Sequence, residues 1–282
     1  MDSLVSTDWL AHELGAGDLV ILDASAHIPA TGRDAAAEFA AGHIPGARFL
    51  DLRSLTNPAS PTPSAVPSAE QFAERMGALG IKPGSRIVLY DDSTAKTACR
   101  AWFIMHMNGT ANVAILDGGM PKWRAEGRPL ESGAVSPVAC DYPVPVQALE
   151  MVRSKAEMLT NCTSHAEQVI DARDAGRFTA QTIDTVHNLP GGHIPGARNL
   201  CYAELYNEDG TLRDNDELRA RFIDAGVDLD APIVTSCGSG VTASSLLFAL
   251  NRLGKIDFAL YDGSWSEWGA DPATPKETGY AA

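Results

Sequence analysis

The residue best placed for covalent chemistry is Cys237, in the segment APIVTSCGSGVTASSLLFALNRLG. The apolar run 233–235 predicts a buried strand, and the cysteine follows at its carboxyl end, where open α/β sheets bind ligands. Gly238 and Gly240 allow the backbone to curl so that successive N–H groups form an anion-binding nest around the sulfur. A helix predicted to open near Val241 adds the positive end of its dipole. Thiols in such surroundings are nucleophilic; an inert buried cysteine is the alternative.

Three other kinds of site share features with this loop. The letters GSGVTA fit the dinucleotide pattern G-x-G-x-x-A, with Asp262 placed to bind a ribose, but about 40 residues remain, too few for a Rossmann sheet. A phosphatase of the C-x5-R type needs an arginine where this chain has Ala243. A serine hydrolase needs G-x-S-x-G, and the residues before Ser239 break that pattern. The loop therefore favours thiol chemistry.

The chain repeats itself at an offset of about 145–150 residues, which indicates a duplicated domain. The paired segments are 41–48 with 191–198, 20–25 with 169–173, 86–91 with 232–237, and 115–123 with 260–268. We expect two homologous domains, 1–135 and 146–282, with their boundary in the proline-rich stretch 128–146. Asp91 stands in the first half where Cys237 stands in the second, and no glycine nest follows it. The first loop is therefore predicted to be catalytically silent.

The elements that must position the thiol alternate between strands and helices in both halves. Nearly continuous apolar runs predict parallel strands covered on both faces, with helical patterns between them. The predicted strands are 19–22, 87–90, 113–116, 168–170, 233–235 and 258–261, and the clearest predicted helices are 68–79, 99–106, 216–225 and 241–253. This alternation predicts the α/β fold class, with two α/β/α domains that each contain a mainly parallel central sheet.

Composition limits the partners and the setting. With 22 basic and 36 acidic residues the formal net charge is −14, which disfavours nucleic acid. The N-terminus lacks the features of a signal peptide, and no stretch reaches the ~18 apolar residues of a membrane span, so we expect a soluble, cytoplasmic protein. Five scattered cysteines form no metal-like cluster, so we expect reduced thiols and neither a metal nor another cofactor.

The loop 237–243, the twin HIPGAR segments and the closing YDGSWSEW resemble the tandem rhodanese-homology sulfurtransferases over essentially the whole chain. The CGSGVT form of the loop is most similar to the branch of that family that uses 3-mercaptopyruvate, and it differs from the CRKGVT form of the branch that uses thiosulfate. The resemblance implies that Cys237 takes the donor's sulfur as a persulfide, releases pyruvate, and passes the sulfur to a second thiol or to cyanide. The loop amides would stabilise the anionic sulfur.

The same resemblance implies a set of donor-binding residues: Arg177, Gly238, Gly240, Val241, Thr242 and, as a further candidate, Arg100. Arg177 would hold the donor's carboxylate, for which arginine is suited; a surface ion-pair patch formed by DARxxxRF is the alternative. The family's second arginine is missing, because Val186 occupies its place and the stretch 179–190 contains no basic residue except His187. Arg100 could complete the carboxylate site, and the choice between mercaptopyruvate and thiosulfate stays open.

Three further catalytic candidates come from the resemblance. Ser239 matches a loop serine that assists proton movement at the donor. His43 matches a histidine near the active loop, with Asp34 as the residue that could orient it, but His193 occupies the same motif in the other half, so both histidines could instead brace a turn. The implied acceptor is a thioredoxin-like dithiol protein and the implied state is a monomer. A non-catalytic binding protein that keeps the fold is the remaining alternative.

Overall fold

The computed structural model describes residues 1–280, which form two compact units. The first unit comprises residues 1–57, 66–148 and 207–212, and the second comprises residues 58–65, 149–206 and the chain from 213 onward. Each unit therefore includes one short segment from the other half of the sequence. Nowhere in residues 1–280 is there a helix that is both long and apolar enough to cross a bilayer.

The first unit is built on a parallel sheet. Its strands are β1 (Leu4–Val5), β2 (Leu19–Asp23), β3 (Arg48–Phe49), β4 (Arg86–Tyr90) and β5 (Val113–Leu116), in the spatial order β1-β5-β4-β2-β3. Its helices are α1 (Thr7–Glu13), α2 (Ala35–Ala41), α3 (Ala69–Ala78), α4 (Thr97–Met107) and α5 (Gly119–Ala125), with short 3-10 turns at Pro29–Thr31 and Leu52–Leu55. Every strand pair in this sheet is parallel.

The second unit repeats the same plan. Its strands are β6 (Val152–Arg153), β7 (Gln168–Asp171), β8 (Arg198–Asn199), β9 (Ile233–Ser236) and β10 (Phe258–Tyr261), in the order β6-β10-β9-β7-β8, again all parallel. Its helices are α6 (Lys155–Ser164), α7 (Ala175–Phe178), α8 (Asn215–Asp224), α9 (Ala243–Arg252) and α10 (Ser264–Trp268), with 3-10 turns at Leu149–Met151 and Tyr202–Leu205.

The predicted fold class is confirmed: each unit is a five-stranded parallel sheet flanked by helices. The six predicted strands are present to within one residue at each end, and the four clearest helices to within two. The sequence pattern does not predict β1, β3, β6 or β8, because a two-residue strand is too short to show a period. The dinucleotide interpretation of GSGVTA fails, because within residues 1–280 a single strand, β10, follows it.

Helix α9, which follows the candidate loop, is an interior helix. All of its residues from Ala243 to Leu250 are buried, and the equivalent helix α4 is buried over most of its length. A helix that is apolar around its circumference belongs in a core rather than on a surface. The buried α9 therefore fixes where the loop at the end of β9 must lie.

Most of the other helices begin at a side-chain cap. The residues that accept hydrogen bonds from first-turn amides are Ser6, Asp34, Ser68, Ser154, Asp174 and Asp214. Such caps satisfy amides that have no partner within the helix. Helices α4 and α9 have no cap from their N-cap side chains, and both follow the loops at the ends of the central strands β4 and β9.

We predict that Leu247→Ala destabilises the second unit by about 2–5 kcal/mol, because it leaves a cavity beside a fully buried position in α9. The measurement is chemical denaturation followed by circular dichroism. Leu149→Ala is the matched control, since Leu149 is 62% exposed and its truncation should change the free energy of unfolding by less than about 0.5 kcal/mol. Equal effects of the two variants would contradict the interior position of α9.

Candidate active site

The residues predicted from the sequence to form the site divide between the two units. The second unit contains the loop residues Cys237, Gly238, Ser239, Gly240, Val241 and Thr242, together with Arg177 on α7. The first unit contains His43, Asp34 and Arg100, the last on α4 and only 3% exposed. The second unit thus brings the thiol, its loop and the carboxylate-binding candidate into one domain.

Cys237 follows β9 directly and is 2% exposed. Its backbone is held on both sides by α10: the Cys237 N–H donates to Ser264 Oγ at 3.1 Å, and the Trp265 N–H donates to the Cys237 carbonyl at 2.9 Å. Ser266 donates its N–H and its hydroxyl to the Gly238 carbonyl at 2.8 and 2.7 Å. The YDGSWSEW repeat therefore positions the cysteine loop.

The loop retains hydrogen-bond donors that the protein does not use. Across the described residues, the N–H groups of Ser239, Val241 and Thr242 have no acceptor, and no N-cap side chain caps α9. Gly240 has a φ of 77°, a left-handed conformation that favours glycine and turns the chain into the helix. Free N–H groups at a helix N-terminus favour negative charge, so this loop can stabilise an anionic sulfur.

The equivalent loop of the first unit is filled by its own carboxylate. Asp91 Oδ2 accepts a hydrogen bond from the Ala98 N–H at 2.6 Å and lies 3.4 Å from Thr97 Oγ1. Asp91 is buried, and burial raises the pKa of its carboxyl group. The amide at the start of α4 that could serve a ligand is therefore occupied by the chain itself.

Arg173 is the internal support of the second unit. Its guanidinium is fully buried and binds Asp171 through Nε at 3.1 Å and Nη2 at 2.6 Å. Nη2 also donates to the Gly192 carbonyl at 2.6 Å, and the guanidinium carbon lies 4.6 Å from the ring centroid of Trp265. Arg173 thus joins the end of β7 to the GHIPG turn and to the helix that holds the Cys237 loop. The surface ion-pair alternative does not apply to this arginine.

Arg177 lies in a short helix beside this support. Asp174 caps α7 and accepts a hydrogen bond from Arg177 Nε at 2.5 Å. Arg177 Nη1 lies 3.6 Å from Asp184 Oδ1, and its side chain is 19% exposed. An arginine that is paired yet partly exposed can still offer N–H groups to a carboxylate.

Two functional candidates were missed from the sequence: Asp184 and His187. Asp184 is fully buried and lies 3.0 Å from His187 Nδ1, while its Oδ1 accepts the N–H groups of Val186 and His187. Burial raises the pKa of Asp184, but the hydrogen bonds of His187 and the charges of His187 and Arg177 outweigh it and lower the pKa to about 2. The sequence feature that could have indicated this pair is a histidine three residues after an aspartate. The pair lies in an irregular loop, where no periodic pattern supports such a prediction.

Tyr202 and Cys201 are further neighbours that the sequence did not suggest. Burial, and then the neighbouring thiols of Cys201 and Cys237, raise the pKa of Tyr202. Burial also raises the pKa of Cys201. Both side chains therefore stay protonated near neutral pH, and Tyr202 can act there as a hydroxyl donor or acceptor rather than as an anion.

The geometry of His43 favours the alternative that this histidine braces a turn. Its ring stacks on Phe39 at 4.0 Å between centroids, its Nδ1 lies 2.8 Å from the Phe39 carbonyl, and it is 1% exposed. His193 repeats this arrangement on Phe178. Asp34 accepts hydrogen bonds from the N–H groups that follow it at the start of α2. The ring of His43 is thus oriented by Phe39, and the carboxylate of Asp34 serves as a helix cap.

The described residues contain no group of three or more His, Cys, Asp or Glu side chains arranged to hold a metal ion, and all five cysteines are free thiols.

Comparisons with known proteins agree with the internal repeat. The rhodanese-like domain family matches residues 6–126 and again residues 154–271. The 3-mercaptopyruvate sulfurtransferase of Escherichia coli K12 is 39% identical over 274 residues, which cover 97% of each chain. A thiosulfate sulfurtransferase of Cricetulus griseus is 36% identical over 94% of this chain and 91% of its own. The crystal structure of SseA from Escherichia coli, a 3-mercaptopyruvate sulfotransferase with the rhodanese fold, superposes with a TM-score of 0.85 at 38% identity, covering 94% and 99% of the two chains.

The buried carboxylate of Asp184 predicts a specific loss of stability in acid. Its pKa is about 2 in the folded protein and about 3.9 in an unfolded chain, so the ionised form stabilises the fold above about pH 4 and this contribution disappears as the pH falls towards 2. We expect Asp184→Asn to lower the free energy of unfolding by about 2 kcal/mol at pH 6 and by much less near pH 2.

Urea unfolding at pH 6, 4 and 2.5 measures this difference. Asp230→Asn, at an exposed loop position of the same unit, is the control and should follow the wild-type curve. A constant gap between wild type and Asp184→Asn at every pH would contradict the prediction.

Proposed function

The chain belongs to the rhodanese-like sulfurtransferases, and from that premise we propose that it moves the sulfur of 3-mercaptopyruvate to a thiol acceptor through a persulfide on Cys237. One observation carries the proposal: a thiol at the carboxyl end of a central strand, followed by unpaired loop amides and an uncapped buried helix. The relative from Escherichia coli, similar over 97% of both chains, supports 3-mercaptopyruvate as the donor.

The first half-reaction begins when the Cys237 thiolate attacks the donor's sulfur. A new S–S bond forms, the donor's C–S bond breaks, and its electron pair leaves on the enolate of pyruvate, which takes up one proton to become pyruvate. In the second half-reaction an acceptor thiolate attacks the outer sulfur, and the Cys237 thiolate leaves. The loop N–H groups stabilise the charge on Cys237 before the first step and after the second.

The surrounding residues bind the donor and supply its proton. Arg177 holds the donor's carboxylate, and the partly exposed Ser239 assists the proton transfer to the enolate. Gly240, Val241 and Thr242 form the wall of amides around the sulfur. We assign His43 and Asp34 to bracing and capping and keep Arg100 only as a candidate for donor binding.

Thiosulfate is the second candidate donor, favoured by the relative from Cricetulus griseus. Thiosulfate carries two negative charges, and neither Gly238 nor Ser239 offers a cation in the loop. Comparison of kcat/KM for the two donors decides between them, and a clear preference for thiosulfate would overturn the assignment of the donor.

Several broader features belong to the same proposal. We infer two domains, 1–135 and 146–282, of which only the second is catalytic, since Asp91 fills the first loop. The remaining inferences are a cytoplasmic setting, a monomeric state and a thioredoxin-like acceptor. If Cys237 reacts with iodoacetamide no faster than the other four cysteines, the chain is instead a non-catalytic binding protein.

We predict that treatment with 3-mercaptopyruvate adds about 32 daltons to Cys237, the mass of one sulfur atom, because the persulfide is a covalent intermediate. Mass spectrometry of the intact protein and of its peptides measures this gain. Cys237→Ser should show no gain, while Cys162→Ser, at a partly buried thiol on α6, should gain as the wild type does. The absence of a gain in the wild type would refute the proposed function.

We predict that Arg177→Met raises KM for 3-mercaptopyruvate about 10- to 100-fold, with a smaller change in kcat, because a charge-assisted hydrogen bond to the donor is lost. Steady-state kinetics with cyanide as acceptor measures both constants. Arg219→Met, at an exposed position on α8, is the matched control and should leave KM unchanged. An unchanged KM in Arg177→Met would remove this residue from the donor site.

A further inference from the structure

The ring of His187 occupies the space beside Gly238 in the Cys237 loop. A Cβ atom added at Gly238 would lie 2.0 Å from His187 Cε1 and 2.8 Å from each ring nitrogen. Gly238 is not among the glycines with left-handed φ, so its lack of a side chain answers a steric need and not a conformational one. The edge of the imidazole that carries both nitrogens therefore faces the backbone next to Cys237.

Asp184 fixes the orientation and the tautomer of this ring. Its carboxylate lies 3.0 Å from His187 Nδ1 and also accepts the backbone N–H of His187 at 3.2 Å. A carboxylate of pKa about 2 is ionised and can only accept, so the proton on Nδ1 is donated to Asp184 and Nε2 is the free end of the ring. The side chain of His187 is 17% exposed, so this end can meet a ligand.

The charges that surround the pair do not balance without His187. Two arginines and three aspartates are linked by these contacts: Arg173, Arg177, Asp171, Asp174 and Asp184. Their sum is −1, and ionisation of Cys237 makes it −2. A protonated His187 raises the sum by one, in a chain whose formal net charge is −14. A protonated His187 therefore reduces the negative charge that an anionic donor meets at this site.

We infer that the His187 imidazolium, held by Asp184 against Gly238, is a specificity-determining cation that binds the carboxylate of the sulfur donor. Asp184 is the positioning residue of this pair. The inference rests on the proposed function, because it assigns to that reaction a donor with a carboxylate. It adds a residue to the site and makes donor binding dependent on pH.

The pH dependence follows from the groups that face His187. These are Asp184 in its own loop, Arg177 on α7 through Asp184, and the thiol of Cys237 in the loop that the ring contacts. Arginine stays charged throughout the physiological pH range, whereas histidine side chains in general change charge between pH 5 and 8. A donor site that uses an imidazolium should therefore show a KM for an anionic donor that rises with pH.

The first experiment compares KM for 3-mercaptopyruvate from pH 5.5 to 9 in the wild type, His187→Gln and His187→Arg. We expect the wild-type KM to rise with pH, the glutamine variant to have a KM about 10- to 100-fold above the wild type at pH 6 and little dependence on pH, and the arginine variant to keep a low KM up to pH 9. Ionisation of the donor's own thiol affects all three proteins alike. His12→Gln, at an exposed histidine on α1, is the matched control. A wild-type KM profile in His187→Gln would overturn the inference.

The second experiment tests the contact between the ring and Gly238. Gly238→Ala should raise KM at least 10-fold, because its methyl group displaces the imidazole, but in a His187→Ala background the same change should cost less than about 2-fold. Thermal melts establish that each variant is folded. If Gly238→Ala is equally harmful in both backgrounds, the imidazole is not what the methyl group disturbs, and the inference fails.

A binding measurement separates this inference from the proposed function. Calorimetry gives the Kd of pyruvate for Cys237→Ser and for the double variant with His187→Gln, without any sulfur transfer. We expect pyruvate to bind about 10-fold more weakly to the double variant at pH 6. Equal Kd values would overturn the role of His187 even if the wild type forms a persulfide. A wild type without a persulfide would refute the proposed function even if the two Kd values differ.

Discussion

The proposed reaction places one electrostatic requirement on the second unit: negative charge on the sulfur of Cys237 has to be stabilised within a strongly acidic protein. The backbone meets part of this requirement, because the loop leaves the N–H groups of Ser239, Val241 and Thr242 without acceptors in the described chain. Such donors are fixed in place before the reaction, so they stabilise charge without reorganising. The net charge of −14 opposes a negative charge at this position, and the local N–H groups act against that field.

These loop N–H groups stay without acceptors because rigid elements surround the loop. Helix α9 is buried along most of its length and cannot shift to satisfy its own first turn. The α10 segment binds the Cys237 and Gly238 backbone, and Arg173 ties that segment to the end of β7 through Asp171 and Trp265. A buried ion pair of this kind contributes to a unique arrangement more reliably than to net stability. Arg173 therefore acts as an internal clamp, while Arg177 beside it is partly exposed.

Periodicity and repeats in the sequence predicted the sheets, the loop at Cys237 and the silent loop residue Asp91, because strands and helices bury their side chains in regular patterns. The sequence could not reveal the Asp184–His187 pair, which lies in an irregular stretch whose path depends on tertiary contacts. It also assigned both loop glycines to a curl, whereas Gly240 makes the left-handed turn and Gly238 makes room for the imidazole. The steric role depends on a residue about 50 positions away, which no local pattern encodes.

The carboxylate of Asp91 acts in the first unit as a permanently bound anion that is covalently tethered to the chain. It accepts the Ala98 N–H at 2.6 Å, and because it is part of the chain, its effective concentration there is one that no diffusing anion can match. Replacing it by cysteine alone would not create a second active centre, because no glycine follows in the loop to turn the other amides inward. An engineered active site in the first unit would therefore require the whole loop of the second unit. It would also require a side chain to fill the space beside the residue equivalent to Gly238, which His187 fills in the second unit.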